Sequence, residues 1–300
     1  MSGMITSKPF AIAAGTMLTL CGVGGYAWHE IHRPKVLEMY VFDLPGAPGI
    51  LIRTPNDRRI LVDGGSNTEV VKRLTDVLPF YLRRIDTVIV TGREGRNVTG
   101  LIDILDRYMV SEVVLPAVTL PDLGLSSTTD RIYEIFLETA ESHGIPVKKV
   151  VAGERIILDD DGSRSVVADI LFPVAGDEFK YSKASGPSIV MKVTYGATSI
   201  VVMGDASMKI QKLIVENNKL PADVLIFSHS IVASNISREL IRSFIPESVV
   251  YSQTVSKPSS KASKKAAVDP LAGILADHRF NVKGNGVVKM VSDGVRLIIE

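Results

Sequence analysis

Residues 188–206 read SIVMKVTYGATSIVVMGDA. Two apolar, β-branched runs flank Gly196-Ala197, so the stretch is a strand pair folded at a tight turn, ending in Gly204-Asp205-Ala206. Working outward, Ile52–Gly65 reads IRTPNDRRILVDGG, a short strand, a Pro-Asn-Asp turn, a second strand and a close on Asp63-Gly64-Gly65. Ile85–Val90 (IDTVIV) reads as a buried strand, and Thr91–Val98 as the loop after it. Leu37–Leu44 and Ile50–Arg53 are strand-like around PGAPG, and Val113–Leu115 is a further strand. Helical spacing covers Thr68–Leu82, the segment from Leu101 to Tyr108, and Thr128–His143, which stops at Gly144. In the second half, Arg155–Leu158 and Ser165–Phe172 flank a DDDG turn. A helix over Lys209–Asn217, a strand over Asp223–Ser228, a helix over Ser237–Phe244 and strands over Val287–Val291 and Val295–Ile299 complete the pattern. Hairpins mixed with strand–helix–strand units predict two sheets with helices outside, a layered α/β/β/α body.

Composition narrows the functional classes. The 300 residues are 46% hydrophobic and 22% charged, too apolar for a disordered chain. Thirty-four Lys and Arg face 33 Asp and Glu, so no global field draws the protein to nucleic acid or lipid, and any steering is local. Cys21 is the one cysteine, which excludes an intrachain disulfide, Cys-rich zinc sites and iron–sulfur clusters.

Residues 10–28, FAIAAGTMLTLCGVGGYAW, carry no formal charge and have about the length of a bilayer-crossing helix. Tyr26 and Trp28 at one end suit the membrane interface. The expected division is a tail over 1–9, a transmembrane anchor over 10–28, a linker over 29–35 and one domain over 36–300. A cleaved secretory signal and a buried helix are the alternatives for 10–28. Residues 36–300 are then expected outside the cytoplasm on a single-pass anchor, or secreted if the segment is cleaved. The stretch 257–265, KPSSKASKK, is low-complexity and basic.

The order of these segments resembles the extracytoplasmic metallo-β-lactamase-fold domain of the ComEC family of DNA-uptake proteins. The resemblance runs over nearly all of residues 36–300. It is carried by IRTPNDRRILVDGG, by SIVMKVTYGATSIVVMGDA, by Ala222–Ser230 (ADVLIFSHS) and by Gly286–Gly294 (GVVKMVSDG). It implies a metallo-β-lactamase-like αβ/βα sandwich with an N-terminal transmembrane helix.

The resemblance also implies a changed site. In active members the loop after IDTVIV reads Thr-His-Pro-His-Ala-Asp-His and holds two metals. Here it reads Thr91-Gly92-Arg93-Glu94-Gly95-Arg96-Asn97. Gly92 offers no ligand, Glu94 a carboxylate, and Asn97 only a neutral oxygen. Arg96 replaces the metal-binding aspartate with a permanent cation that has no acceptor. Pro45-Gly46-Ala47-Pro48 stands for Gly-Gln-Gly-Asp, Ser228-His229-Ser230 for the His-His pair, and Val268-Asp269-Pro270 for Gly-His-Pro.

Asp63, Asp205 and His229 remain. Asp205 is expected to pair with Arg96, Glu94 with Arg93, Arg96 or His229, and Asp63 to tether its own Gly64-Gly65 turn. No cofactor is expected. The leading expectation is a membrane-anchored pseudo-hydrolase that binds or scaffolds. Its partner would be DNA, through Arg93, Arg96, Lys257, Lys261, Lys264 and Lys265, or a membrane-channel or envelope protein. A hydrolase or nuclease holding zinc or manganese on Glu94, Asp205 and His229 is the alternative, and an envelope protein-interaction module without nucleic-acid binding a further one.

Overall fold

The period-2 alternation of the strands sorts their side chains into three apolar layers. The computed structural model describes residues 35–117, 128–160, 162–176, 188–217, 221–227, 236–252, 271, 273–283 and 285–300. One sheet holds β1 (Leu37–Phe42), β2 (Gly49–Arg53), β3 (Arg59–Val62), β4 (Arg84–Ile89), β5 (Met109–Pro116), β6 (Val147–Val150), β14 (Val287–Ser292) and β15 (Leu297–Ile299). Its order is β15-β14-β1-β2-β3-β4-β5-β6, antiparallel up to β3 and parallel from β3 to β6. The second sheet holds β7 (Arg155–Asp160), β8 (Ser165–Phe172), β9 (Val190–Tyr195), β10 (Thr198–Val202), β11 (Val224–Phe227), β12 (Ser248–Tyr251) and β13 (Arg279–Asn281), in the order β13-β12-β11-β10-β9-β8-β7. Here β7 to β10 are antiparallel and β10 to β13 parallel.

Met39, Val41, Ile60 and Val62 of the first sheet share a buried core with Met191, Val193, Ile200 and Val202 of the second. The alternate residues face outward. Phe42, Leu51, Leu61 and Val88 pack on α1 (Glu69–Val77), α2 (Gly95–Arg107) and α3 (Thr128–Ser142) through Leu74, Leu101, Ile104 and Phe136. Val201, Met203, Leu225 and Phe227 pack on α4 (Met208–Asn217) and α5 (Arg238–Phe244) through Ile210, Ile214, Leu240 and Phe244. The mixed α/β body with two sheets between helical layers follows the sequence expectation.

Two helix boundaries differ from it by more than one residue. The first helix ends at Val77 rather than Leu82, because Pro79 forces Leu78 into an extended conformation (φ −111°, ψ 141°). The second begins at Gly95, so half of the stretch expected as loop over Thr91–Val98 is helix. Arg96 and Asn97 therefore lie in the first turn of α2. Ser188 and Ile189, expected within a strand, precede β9 and connect the sheets, Ile189 N–H donating to the Thr91 carbonyl at 2.7 Å. The short β6 and β13 carry no apolar alternation that marks them in the sequence.

No helix among the described residues is long and apolar enough to cross a membrane. The segment 10–28 lies outside them.

The turn after β3 and the start of α2 meet backbone to backbone. Gly64 N–H donates to the Asn97 carbonyl at 2.7 Å, and Gly100 N–H to the Gly65 carbonyl at 3.2 Å. A Cβ at Gly100 would press into the carbonyl oxygens of Gly64 and Asn67, neither of which can yield without breaking the turn. Gly100→Ala is therefore expected to destabilise by about 3 kcal/mol or more. Gly273→Ala, where a Cβ meets nothing within 4 Å, should stay within about 1 kcal/mol of the parent chain. Chemical denaturation of the two variants measures the difference.

Candidate functional site

The carboxyl ends of β3, β4 and β10 converge at one edge of the sandwich, where ligand sites of open α/β sheets form. Val62 hands the chain to Asp63, which takes a left-handed conformation (φ 56°) and donates its N–H to the Ile89 carbonyl at 3.0 Å. The Asp63 side chain is buried. One oxygen accepts from Thr91 N–H at 2.8 Å; the other accepts from Thr91 Oγ1 at 2.5 Å and Asn97 Nδ2 at 2.9 Å. Asp63 thus ties β3 to the end of β4 and the first turn of α2. The expected tether to its own Gly64-Gly65 turn is corrected: the Asp63 oxygens go to Thr91 and Asn97, while the Gly64 N–H and the Gly65 carbonyl are engaged with α2 backbone. Asn97 presents nitrogen to Asp63, and its Oδ1 is buried without a partner.

On the other side, Gly204 (φ 50°) turns the chain after β10 in a space where a Cβ would strike Ser188 Oγ. Asp205 follows, its N–H donating to Ser188 Oγ at 3.0 Å. Its carboxylate accepts from Arg96 Nε at 3.3 Å and lies 3.3 Å from Arg96 Nη2. The same Nη2 is 2.7 Å from Glu94 Oε2. A guanidinium from the first turn of α2 thus bridges a carboxylate from each side of the cleft, and the pairing foreseen for Asp205 and for Glu94 is present.

Arg93 turns away. Its guanidinium stands 4.8 Å from the centre of the Tyr133 ring, and its Nε is buried without a hydrogen-bond partner. Burial raises the Tyr133 hydroxyl pKa, and the Arg93 charge opposes that shift.

Gly92, Glu94, Arg96, Asn97 and Asp205 thus share one region. His229, Lys257, Lys261, Lys264, Lys265 and Asp269 lie outside the described residues. The two described histidines do structural work. His143 Nε2 is 3.0 Å from Asp106 Oδ1, and His278 Nδ1 is 3.0 Å from the Glu247 carbonyl. Thr91 and Ser188 are site residues that the sequence reading passed over. Their signal is positional, a hydroxyl residue immediately past one core strand and just before another.

A metal pair asks for several convergent anionic or imidazole donors. Among the described residues no group of three or more His, Cys, Asp or Glu is placed to hold an ion. Of the three carboxyl groups here, Glu94 and Asp205 share the cation of Arg96, and Asp63 is held by Thr91 and Asn97. The described part of the donor set, which does not include His229, does not by itself fit a two-metal centre.

No family model matches the chain, and no curated protein matches it. Solved structures similar to it include a metallo-β-lactamase fold protein and metallo-β-lactamases. The metallo-β-lactamase fold protein YhfI from Bacillus subtilis is 13% identical over 72% of this chain and 85% of that one, with a TM-score of 0.45. The long form RNase Z from yeast is 9% identical over 72% and 37%, TM-score 0.43. The diiron beta-hydroxylase CmlA from Streptomyces venezuelae is 18% identical over 72% and 44%, TM-score 0.42. The chain spans less than half the length of the last two. What its site can do follows from its own side chains.

Burial pushes the Asp63 carboxyl up to about 7, and the charge of Asp205 adds to the push. The hydrogen bonds from Thr91 and Asn97 favour the carboxylate and only partly offset it. With the folded pKa above the ordinary 3.8, the native state keeps a proton that the unfolded chain releases. This contribution to stability is therefore complete below about pH 4 and is lost as the pH rises to about 7. Asp63→Asn removes the titration. An amide donor at 63 can be met by Asn97 if that side chain turns its unpartnered Oδ1 inward. Denaturation midpoints measured from pH 4 to 8 should fall more steeply for the parent chain than for Asp63→Asn.

Proposed function

We propose that this chain is a membrane-anchored, catalytically silent metallo-β-lactamase-like module whose role is to bind or scaffold. The observation that supports the reading is the bridge Glu94–Arg96–Asp205. Where a hydrolase of this architecture would place a divalent cation between carboxylates, a guanidinium stands, hydrogen-bonded and unable to activate water. Residues 10–28 supply the anchor in this reading, and the domain spans 36–300.

The bridge also bears on the partner. Arg96 would have to exchange two carboxylates for a phosphate before it could grip a nucleic-acid backbone, and Arg93 would have to leave Tyr133. DNA binding, in this reading, falls to Lys257, Lys261, Lys264 and Lys265. An envelope or channel protein is the partner that needs no such rearrangement, and it takes precedence. A ComEC-like place beside a DNA-conducting channel belongs to the same proposal.

Elemental analysis of the purified full chain, prepared without chelator, tests the reading together with phosphodiesterase assays in added zinc and manganese. The expected outcome is no stoichiometric metal and no hydrolysis. Stoichiometric zinc or manganese that disappears in Asp205→Ala or His229→Ala, with activity lost in step, overturns it. The hydrolase on Glu94, Asp205 and His229 would then stand in its place.

A further inference from the structure

The end of the sandwich opposite the site carries a different chemistry. Strand register places Glu38 beside Arg53, Arg53 beside Arg59, Ile60 beside Thr87, and Arg84 beside Met109. The start of β1, the β2–β3 turn and the starts of β4 and β5 thus share one end of the first sheet. Asp63 and Thr91 lie at the other.

At this end Phe80 and Tyr81 are 82% and 60% exposed, with ring centres 5.5 Å apart, edge to face. Met109, 72% exposed, opens β5 at the same end, its N–H donating at 2.9 Å to the carbonyl of Arg83, two residues past Tyr81. A small groove of Leu78, Pro79, Leu82 and Tyr108 runs beside the rings, with Arg83 and Arg107 on its rim. The early stop of α1 at Pro79 is what brings these aromatics to the surface. Large apolar side chains exposed together and rimmed by cations mark an interaction surface. Arg84 and Arg107 pair with Asp86 and Asp103, whereas Arg58 and Arg83 are exposed and make no ion pair among the described residues.

We propose that Phe80, Tyr81 and Met109, with Arg58 and Arg83, seat this end of the domain on an anionic lipid surface. Amphipathic rings favour the headgroup level, and guanidinium groups favour anionic lipid. The proposal rests on the anchor assigned to residues 10–28. The chain enters the described fold at Lys35, at this same end. A seven-residue linker reaches at most about 25 Å, and four strand spacings from β1 to β5 span about 19 Å. A bilayer holding the anchor therefore lies within reach of the aromatic pair.

The test uses the full chain carrying Cys21→Ser, reconstituted in phosphatidylcholine vesicles with or without phosphatidylserine. A nitroxide is placed at Ser111→Cys, beside the patch, or at Thr68→Cys, at the far end of α1. With phosphatidylserine, the label at 111 should lose collisions with an aqueous nickel complex while that at 68 keeps them. Phe80→Ser with Tyr81→Ser should restore access, and Arg83→Gln should lower the docked-to-free ratio about fivefold.

Equal aqueous access at 111 and 68, in protein that resists carbonate extraction, overturns the docking and leaves the anchor standing. Extraction by carbonate removes the anchor instead. Docking is then judged by sedimentation of the full chain with phosphatidylserine vesicles, supported if Phe80→Ser with Tyr81→Ser abolishes it and overturned if none occurs. Protection of the label in detergent without vesicles assigns the surface to a second copy and also overturns the proposal.

Discussion

One buried carboxylate fixes the relation between three pieces of chain that are distant in sequence. Asp63 leaves β3, Thr91 leaves β4 and Asn97 opens α2, and all three meet at the Asp63 oxygens. The contact is dear in desolvation, which is why burial dominates the Asp63 titration despite three donors. Its consequence is geometric. With Asn97 held against β3, the first turn of α2 has one orientation, and that orientation sends Arg96 across the cleft to Asp205. Thr91 is also the acceptor for Ile189, so the same point locks the second sheet to the first.

Given that frame, the charges in the cleft follow from electrostatics. Asp205 raises the pKa of Asp63, so two carboxylates converge on the strand ends and the edge calls for a cation. A guanidinium meets that need permanently, because it cannot lose its proton. The Arg96 side chain is 28% exposed and Glu94 is 46% exposed, so water screens the pairs and their stabilising effect is small. The importance of the bridge lies in what it occupies. It sets one permanent positive charge between two carboxylates and commits Nε and Nη2 of Arg96 to them.

The layers were legible because strand periodicity is a local property. Ile200, Val202 and their alternates Val201 and Met203 announce a two-faced strand before any partner is known, and the structure puts one pair in the central core and the other under the helices. Motif order around Gly204-Asp205 and Asp63-Gly64-Gly65 was equally readable. What escaped were features decided by contacts across the chain. Asp63 looked like a turn residue because nothing local shows that Thr91 and Asn97 come to it from 28 and 34 residues away. Gly95, a poor helix former, hid the start of α2, whose turn is held by Gly64 and Gly65 rather than by propensity. The stop of α1 is readable from Pro79, which a helix over Thr68–Leu82 runs through.

Strand direction then separates two tasks. β3 and β4 run parallel, so their amino ends and carboxyl ends cannot mix. Six residues of β4 at about 3.3 Å each put about 20 Å between the aromatic end and the Asp63 end. In the proposed lipid-docked arrangement the amino ends would face the lipid, and the Arg96 region would face the aqueous phase, where a partner could meet it. The reverse arrangement, a site turned toward the bilayer, would need the chain to enter at the other end of β1. Entry at Lys35 and the direction of β1 therefore bear on what can reach the cleft as much as the residues lining it do.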